Sequence, residues 1–154
     1  MREEVDLTPR RGGISPAIIY MKKIIEQDRK IISIPDYEGA GIYMIRNNVN
    51  GKVYIGSAKN IHSRIKKHDQ SMRKEICNEK FLEDIEKGHT FTCEILEKCD
   101  NIMFVELIIR EKYYSEKYNS FKDGYNTAPI QTYDLDFFIK MKNEYMISYL
   151  TRRV

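Results

Sequence analysis

Cysteine is scarce in this sequence, and its pattern excludes the roles that cysteine has in small secreted or zinc-binding domains. The three residues, Cys77, Cys93 and Cys99, are odd in number and form no C-x-x-C pair. Neither a disulfide framework nor a structural zinc site is therefore expected, and the pattern favours a reduced, cytoplasmic setting.

Long apolar runs are also missing. No stretch approaches the roughly 20 apolar residues of a membrane-spanning helix, and residues 1–13 lack the hydrophobic segment of a signal peptide. With 154 residues, of which 42% are hydrophobic and 32% charged, the composition is that of one globular domain. The net charge of only +3 says little by itself about binding partners.

Basic residues are unevenly placed along the chain. Residues 59–74 contain six of them against a single acid, Asp69. The six are Lys59, Arg64, Lys66, Lys67, Arg73 and Lys74. Such a run suits the phosphates of a nucleic acid, although a solvated helix face explains it equally well.

The spacing of apolar residues predicts the order of helices and strands. Ser15-Pro16 opens a predicted helix that runs to about residue 33, and Pro35 ends it. Asn50-Gly51 between two alternating segments predicts a β-hairpin over residues 39–56. The other predicted elements are helices at 61–74 (N-cap Asn60), 78–87, 101–119 and 134–150, and a strand at 91–97. This order predicts an α+β fold in which helices flank a small three-stranded antiparallel sheet.

The hairpin carries a tyrosine in each strand. A two-residue turn would place Ile45 opposite Gly56, and Tyr43 and Tyr54 would then share a face with that glycine. Strand tyrosines more often serve packing than function, but a glycine on the same face marks a close approach by another group. The opposite face is apolar and suits packing against a helix.

The helix at 61–74 places two further polar groups beside its apolar stripe. Arg64 and His68 are four residues apart, so both are expected to point toward the sheet. The guanidinium of Arg64 suits bidentate contact with a phosphate. A structural ion pair for Arg64 and a boundary position for His68 are the alternatives.

One acid on the long helix has no basic residue at helical spacing. Glu111 has Leu107, Ile108, Tyr114 and Ser115 as its neighbours three and four positions away. An unpaired carboxylate on a largely apolar side must find a distant partner such as Arg64, bind a metal ion, or shift its pKa.

Taken together, these residues resemble the GIY-YIG nuclease family over about residues 39–130. The two tripeptides that name the family match Gly41-Ile42-Tyr43 and Tyr54-Ile55-Gly56. Other motif positions of the family match Arg64, His68, residues 110–114 and Gly124-Tyr125-Asn126. The likeness is strongest to the catalytic domains of phage and group I intron homing endonucleases. Residues 1–38, an arm and a helix, and the helix within 131–154 would then flank the nuclease-like domain.

The resemblance implies a DNA endonuclease that hydrolyses phosphodiester bonds with Mg²⁺ or Mn²⁺. Its implied catalytic residues are Tyr43, Tyr54, Arg64, His68, Glu111 and Asn126, with Glu111 as the metal ligand, and its implied DNA contacts are Lys66, Lys67, Arg73 and Lys74. Tyr43 would orient or deprotonate the attacking water, with His68 as the alternative or assisting base. A phenol titrates near pH 10, so Tyr43 could act as a base near neutrality only if the cation and the basic helix lower its pKa.

Other functions stay open. A restriction or structure-selective repair nuclease would use the terminal helices for a homodimer or a partner, and a nucleic-acid-binding module would use the same scaffold without cutting. Residues 71–80 lack the further histidine that some homing members have between the middle helices. Weak intrinsic sequence choice is expected, because the basic residues contact phosphates rather than bases.

Overall fold

The computed structural model describes residues 12–130, 140, 143 and 144 of the chain, without the side chains of residues 24–27. Its elements in chain order are α1 (Pro16–Gln27), β1 (Ile31–Ser33), β2 (Gly41–Asn47), β3 (Val53–Ala58), α2 (Ile61–Arg73), α3 (Glu79–Glu86), β4 (Phe91–Lys98) and α4 (Phe104–Lys117). No helix in this described part is long and apolar enough to cross a membrane. The helix predicted at 134–150 lies outside the described residues except for positions 140, 143 and 144, which are helical.

The α+β class is confirmed, but the sheet formed by residues 12–130 has four strands rather than three. The strand order is β1-β4-β2-β3, with β2 antiparallel to both neighbours and β1 parallel to β4. The extra strand lies where the sequence predicted the end of the first helix, which stops at Gln27. Long-range bonding decides this segment, because the Phe91 amide donates to the Lys30 carbonyl at 2.8 Å.

The hairpin connection is longer than the predicted two-residue turn. The Asn47 amide donates to the Lys52 carbonyl at 2.8 Å, so residues 48–51 form the loop, with Gly51 at φ 74°. The Asn47 side-chain oxygen accepts the amides of Val49 (2.7 Å) and Asn50 (3.2 Å), which builds the turn from inside.

The longer loop shifts the strand register by two residues from the prediction. Tyr43 lies opposite Gly56 and Ile45 lies opposite Tyr54. A shift of two positions keeps every side chain on its expected face, because side chains alternate with a period of two. The predicted shared face of Tyr43, Tyr54 and Gly56 is therefore present.

Helices cover both faces of the sheet. The first face carries Tyr43 and Ile45 and packs against buried residues of α2 and α3, including Ile65 and Phe81. The second face packs against α4 through Ile42, Met44, Val53 and Ile55, which form one buried cluster with Cys99 and with Leu107 of α4. Because β3 is the outermost strand on its side, groups from the two layers of helices can meet around its free edge.

Asp69 joins α2 to the first strand. Its fully buried carboxylate accepts the backbone amides of Lys30 (2.8 Å) and Ile31 (2.9 Å) through one oxygen. Its other oxygen pairs with Arg73 at 2.6 Å. A buried acid with these partners is well compensated, and it fixes the start of β1.

We expect Asp69→Ala to lower the free energy of unfolding by about 3 kcal/mol, because it leaves two buried amides and the Arg73 guanidinium without their acceptor. Urea unfolding measures the change. Glu83→Ala is the control: Glu83 is 72% exposed and pairs with Lys87 at 3.6 Å, so a change below about 0.5 kcal/mol is expected. Equal effects of the two substitutions would contradict the role given to Asp69.

Candidate active site

A hydrogen bond between Tyr43 and His68 forms the floor of the site. Tyr43 lies in the middle of β2 and is fully buried, and its phenol oxygen is 2.8 Å from His68 Nε2. α2 begins at the N-cap Asn60, which accepts the Ser63 amide at 3.0 Å, and His68 lies on the side of its buried residues Ile61, Ile65 and Met72. The ring of Tyr54 completes a cluster, with its centroid 6.2 Å from that of Tyr43 and 5.2 Å from that of His68.

Burial sets the protonation of these three rings. It raises the pKa of Tyr43 well above 10, and the opposing effect of Arg64 does not reverse this. Burial, with the nearby Glu111 carboxylate, also raises the pKa of Tyr54. Burial and the adjacent Arg64 charge lower the pKa of His68 to about 4.

Burial of Tyr43 thus opposes the lowered pKa that phenolate catalysis would need. Near neutral pH the phenol is protonated and the imidazole of His68 is neutral, so the Tyr43 hydroxyl can donate to His68 Nε2. The two groups together, rather than Tyr43 alone, form a unit that can take up a proton.

Gly56 makes room for the phenol. A Cβ atom at this position would overlap the Oη and Cζ atoms of Tyr43, which lies directly opposite in the register. The absence of a side chain at Gly56 thus lets the Tyr43 ring lie across β3 and reach His68.

Glu111 reaches the same region from the other layer of helices. It lies in α4, is partly buried, and accepts a hydrogen bond from the Ser57 hydroxyl to its Oε2 at 2.8 Å. Burial raises the pKa of its carboxyl group, while the Ser57 hydrogen bond and the charge of Arg64 lower it in part. Arg64, the distant partner that the sequence left open, thus acts on Glu111 through its charge.

Sequence reasoning missed Ser57. It follows Gly56 in β3 and so points to the opposite face, where Ile55 packs toward α4. The alternation of the strand therefore contained the signal that Ser57 faces the helix bearing Glu111.

These groups line one cleft of about 380 Å³. Its lining residues are Tyr43, Tyr54, Gly56, Ser57, Arg64, Phe104, Ile108, Glu111 and Ile130. The acid, both phenols and the guanidinium that the sequence singled out thus meet at the edge of β3. Tyr43 forms the buried floor, whereas Tyr54 and Arg64 are more exposed.

Asn126 acts behind the cleft. Its side-chain amide donates to the Ile55 carbonyl and its oxygen accepts the Ile55 amide, both at 3.0 Å. Asn126 is itself buried. These bonds hold the strand segment that carries Tyr54 and Gly56, so Asn126 positions the site rather than lining it.

The four predicted DNA contacts differ in surroundings. Lys66, Lys67 and Lys74 are exposed on α2 or at its C-cap. Arg73 is instead partly buried and engaged with Asp69, so its guanidinium has a structural role that the sequence pattern did not indicate.

The donor groups fit one hard cation completed by other ligands. Among the described residues, no group of three or more histidine, cysteine, aspartate or glutamate side chains is close enough to hold a metal ion. Glu111 is the carboxylate that lines the cleft. A single carboxylate supplemented by waters and substrate phosphate oxygens is a common arrangement for Mg²⁺.

Comparison with known proteins agrees with this geometry. The pattern of the GIY-YIG catalytic domain matches residues 39–126. Intron-associated endonuclease 1 of Enterobacteria phage T4 is 37% identical over 93 residues, which cover 58% of this chain and 37% of that protein. The chain thus spans little more than a third of this relative.

Two solved structures of the catalytic domain of the homing endonuclease I-TevI, one of them a point mutant, have a similar fold. The mutant is 34% identical at a TM-score of 0.55, covering 61% of this chain and 98% of that one. The other is 37% identical at a TM-score of 0.53, covering 58% and 98%. With more than half of its residues matched to the family pattern, the chain belongs to the GIY-YIG nuclease family.

Proposed function

We propose that this protein is a Mg²⁺-dependent DNA endonuclease of the homing type. The observation that carries the proposal is the cleft at the edge of β3, which brings Glu111, Tyr54, Arg64 and the Tyr43–His68 pair together. An acid, a guanidinium and a proton acceptor in one cleft are the groups that metal-assisted phosphodiester hydrolysis requires.

The substrate phosphate is held by groups at the mouth of the cleft. Arg64 is exposed there and can donate two parallel hydrogen bonds to phosphate oxygens. The hydroxyl of Tyr54 donates to the phosphate or orients the attacking water. Glu111 would hold the Mg²⁺ ion, which when bound supplies Lewis-acid stabilisation of charge on the phosphoryl and leaving oxygens.

The proton of the attacking water passes toward the floor of the site. Tyr43 accepts it while giving its own hydroxyl proton to neutral His68, across the 2.8 Å hydrogen bond. No free phenolate forms in this step, so the raised pKa of Tyr43 is not an obstacle. Tyr43 is fully buried, so this step needs the side chains above it to admit the water.

The alternatives differ in what they predict. A restriction or structure-selective repair nuclease would use the same cleft on a different DNA substrate. A preference for branched DNA over supercoiled plasmid would therefore favour a repair nuclease. A non-cutting module would bind DNA without Mg²⁺ and would be insensitive to changes at Glu111. The homing type is favoured because the named relatives are intron endonucleases.

Two further expectations belong to the proposal. A cytoplasmic setting agrees with the three free cysteines, of which Cys93 and Cys99 are buried. A homodimer through the terminal helices stays a prediction, to which α1 contributes exposed apolar residues: Ile18, Ile19, Tyr20 and Met21.

We expect Glu111→Gln to lower Mg²⁺-dependent plasmid nicking on the order of 100-fold, because the amide removes the negative charge that faces the cleft. The measurement is the rate of conversion of supercoiled to open-circular plasmid over a Mg²⁺ series. Glu116→Gln is the control on the same helix, since Glu116 is 70% exposed and pairs with Lys112 at 3.8 Å. Equal nicking by wild type and Glu111→Gln would remove Glu111 from the metal-binding role.

We expect nicking to persist at mildly acidic pH. His68 accepts a proton only when neutral, and its pKa is lowered to about 4, so this contribution is present above that value and is lost as pH falls through it. The Glu111 carboxylate must also be ionised, and burial raises its pKa from 4.5. His68 should therefore contribute no acid limb to kcat/KM near about pH 6.5, the value of an ordinary histidine. A limb near about pH 6.5 that disappears in His68→Gln would contradict the neutral, buried histidine.

We expect Gly56→Ala to lower nicking by about tenfold or more, because the new methyl group displaces the Tyr43 phenol from its position over β3. Nicking rate and melting temperature are measured together, so that loss of fold and loss of geometry are distinguished. Gly13→Ala is the matched control, since a Cβ there meets nothing within 4 Å. A folded Gly56→Ala protein with wild-type activity would show that the phenol position is unimportant.

A further inference from the structure

A second depression adjoins the cleft on the side of α2. It has a volume of about 280 Å³ and lies between α2 and the start of α4. Its lining residues are Ser57, Ala58, Lys59, Asn60, Ser63, Arg64, Lys67, Phe104 and Leu107. Ser57, Arg64 and Phe104 line the catalytic cleft as well, so the two depressions share a wall.

The charge of this depression is of one sign. Lys59, Arg64 and Lys67 line it, and no acidic side chain of the described residues does. Lys59 and Lys67 are exposed, so their ammonium groups are available to an anion. Three cations next to a phosphate-cleaving cleft suit the phosphate that follows or precedes the scissile one.

Phe104 is the apolar part of the same wall. It is the first residue of α4 and its side chain is 63% exposed. An exposed phenyl ring that lines both depressions contributes little to the core. A flat apolar surface beside cations is the combination on which nucleic-acid bases stack while their phosphates bind the charges.

We propose that this depression, here called the flanking site, binds the nucleotide next to the scissile phosphate. The base of that nucleotide stacks on Phe104, and its phosphate contacts Lys59 and Lys67. The inference rests on the proposed nuclease function, because it takes the adjoining cleft as the place where the phosphodiester bond is cut. The proposal adds a contact to a DNA base, whereas the basic residues of 59–74 by themselves indicated contacts to phosphates only.

The test measures, by fluorescence anisotropy in the presence of EDTA, how tightly the full chain binds two fluorescein-labelled single-stranded DNA oligonucleotides. One oligonucleotide has all its bases, and the other has the same length with abasic positions throughout its centre. Phe104→Ala is expected to weaken binding of the first about tenfold and to leave binding of the second unchanged. Phe104→Leu should behave like Phe104→Ala, because leucine keeps apolar bulk without a flat face.

The lysines are expected to act differently from the ring. Lys59→Gln and Lys67→Gln should weaken binding of both oligonucleotides and reduce the slope of log affinity against log salt, by about one unit or less each. Phe104→Ala should leave that slope unchanged. The controls are Tyr113→Ala, also on α4 and 59% exposed, and Lys117→Gln, exposed at the end of α4.

Three results would overturn the flanking site. The first is wild-type binding of both oligonucleotides by Phe104→Ala, the second is equally weakened binding of both by Phe104→Ala, and the third is an unchanged salt slope in the lysine variants. Plasmid nicking by wild type with Mg²⁺, measured in parallel, tests the nuclease function separately. If the wild type nicks plasmid and Phe104→Ala binds both oligonucleotides as the wild type does, the flanking site alone is rejected. If the wild type does not nick plasmid, the proposed function is rejected.

Discussion

The candidate site depends on one edge strand being held from outside the sheet. β3 is outermost in the strand order, so no other strand of the described residues pairs with its free edge. Asn126 takes the place of that strand at one residue, since it bonds both the amide and the carbonyl of Ile55. Tyr54 and Gly56 flank Ile55 and face one layer of helices, whereas the next residue, Ser57, faces the other. The two hydrogen bonds at Ile55 therefore hold residues 54–57, and Tyr54, Gly56 and Ser57 of this segment line the cleft.

Burial then decides what these groups can do. In water a phenol and an imidazole would have pKa values some units apart, and burial moves them further apart by disfavouring both charged forms. A neutral hydrogen-bonded pair is inexpensive to bury, unlike an ion pair, so Tyr43 and His68 can lie in the core without a compensating charge. Arg64 reinforces this state because its positive charge opposes protonation of His68. Charge is thus confined to the mouth of the cleft, where Arg64 and Glu111 are placed.

The parts of the structure that follow local rules could be predicted from the sequence. The period-two pattern gave the faces of the hairpin, the N-cap at Asn60 was correct, and the lack of a helical partner singled out Glu111. The errors lie where distant residues decide. β1 forms because Lys30 and Ile31 bond to Phe91 and Asp69, far along the chain. The longer hairpin loop depends on hydrogen bonds to the Asn47 side chain within the turn. The dipeptide Asn50-Gly51 alone does not predict these bonds.

The Gly-Tyr-Asn segment links the hairpin turn to the cleft. The Tyr125 hydroxyl donates to the buried Asp84 carboxylate and accepts the side-chain amide of Asn47, which also builds the turn. Burial alone would raise the pKa of Asp84, but hydrogen bonds from Tyr125 and Asn50 bring it below its ordinary value. The Tyr125 ring also stacks on Phe81 at 4.3 Å between centroids. Because the next residue is Asn126, Tyr125 connects the turn and α3 to the bonds that hold β3. The turn and the edge of the cleft are therefore joined through one buried tyrosine.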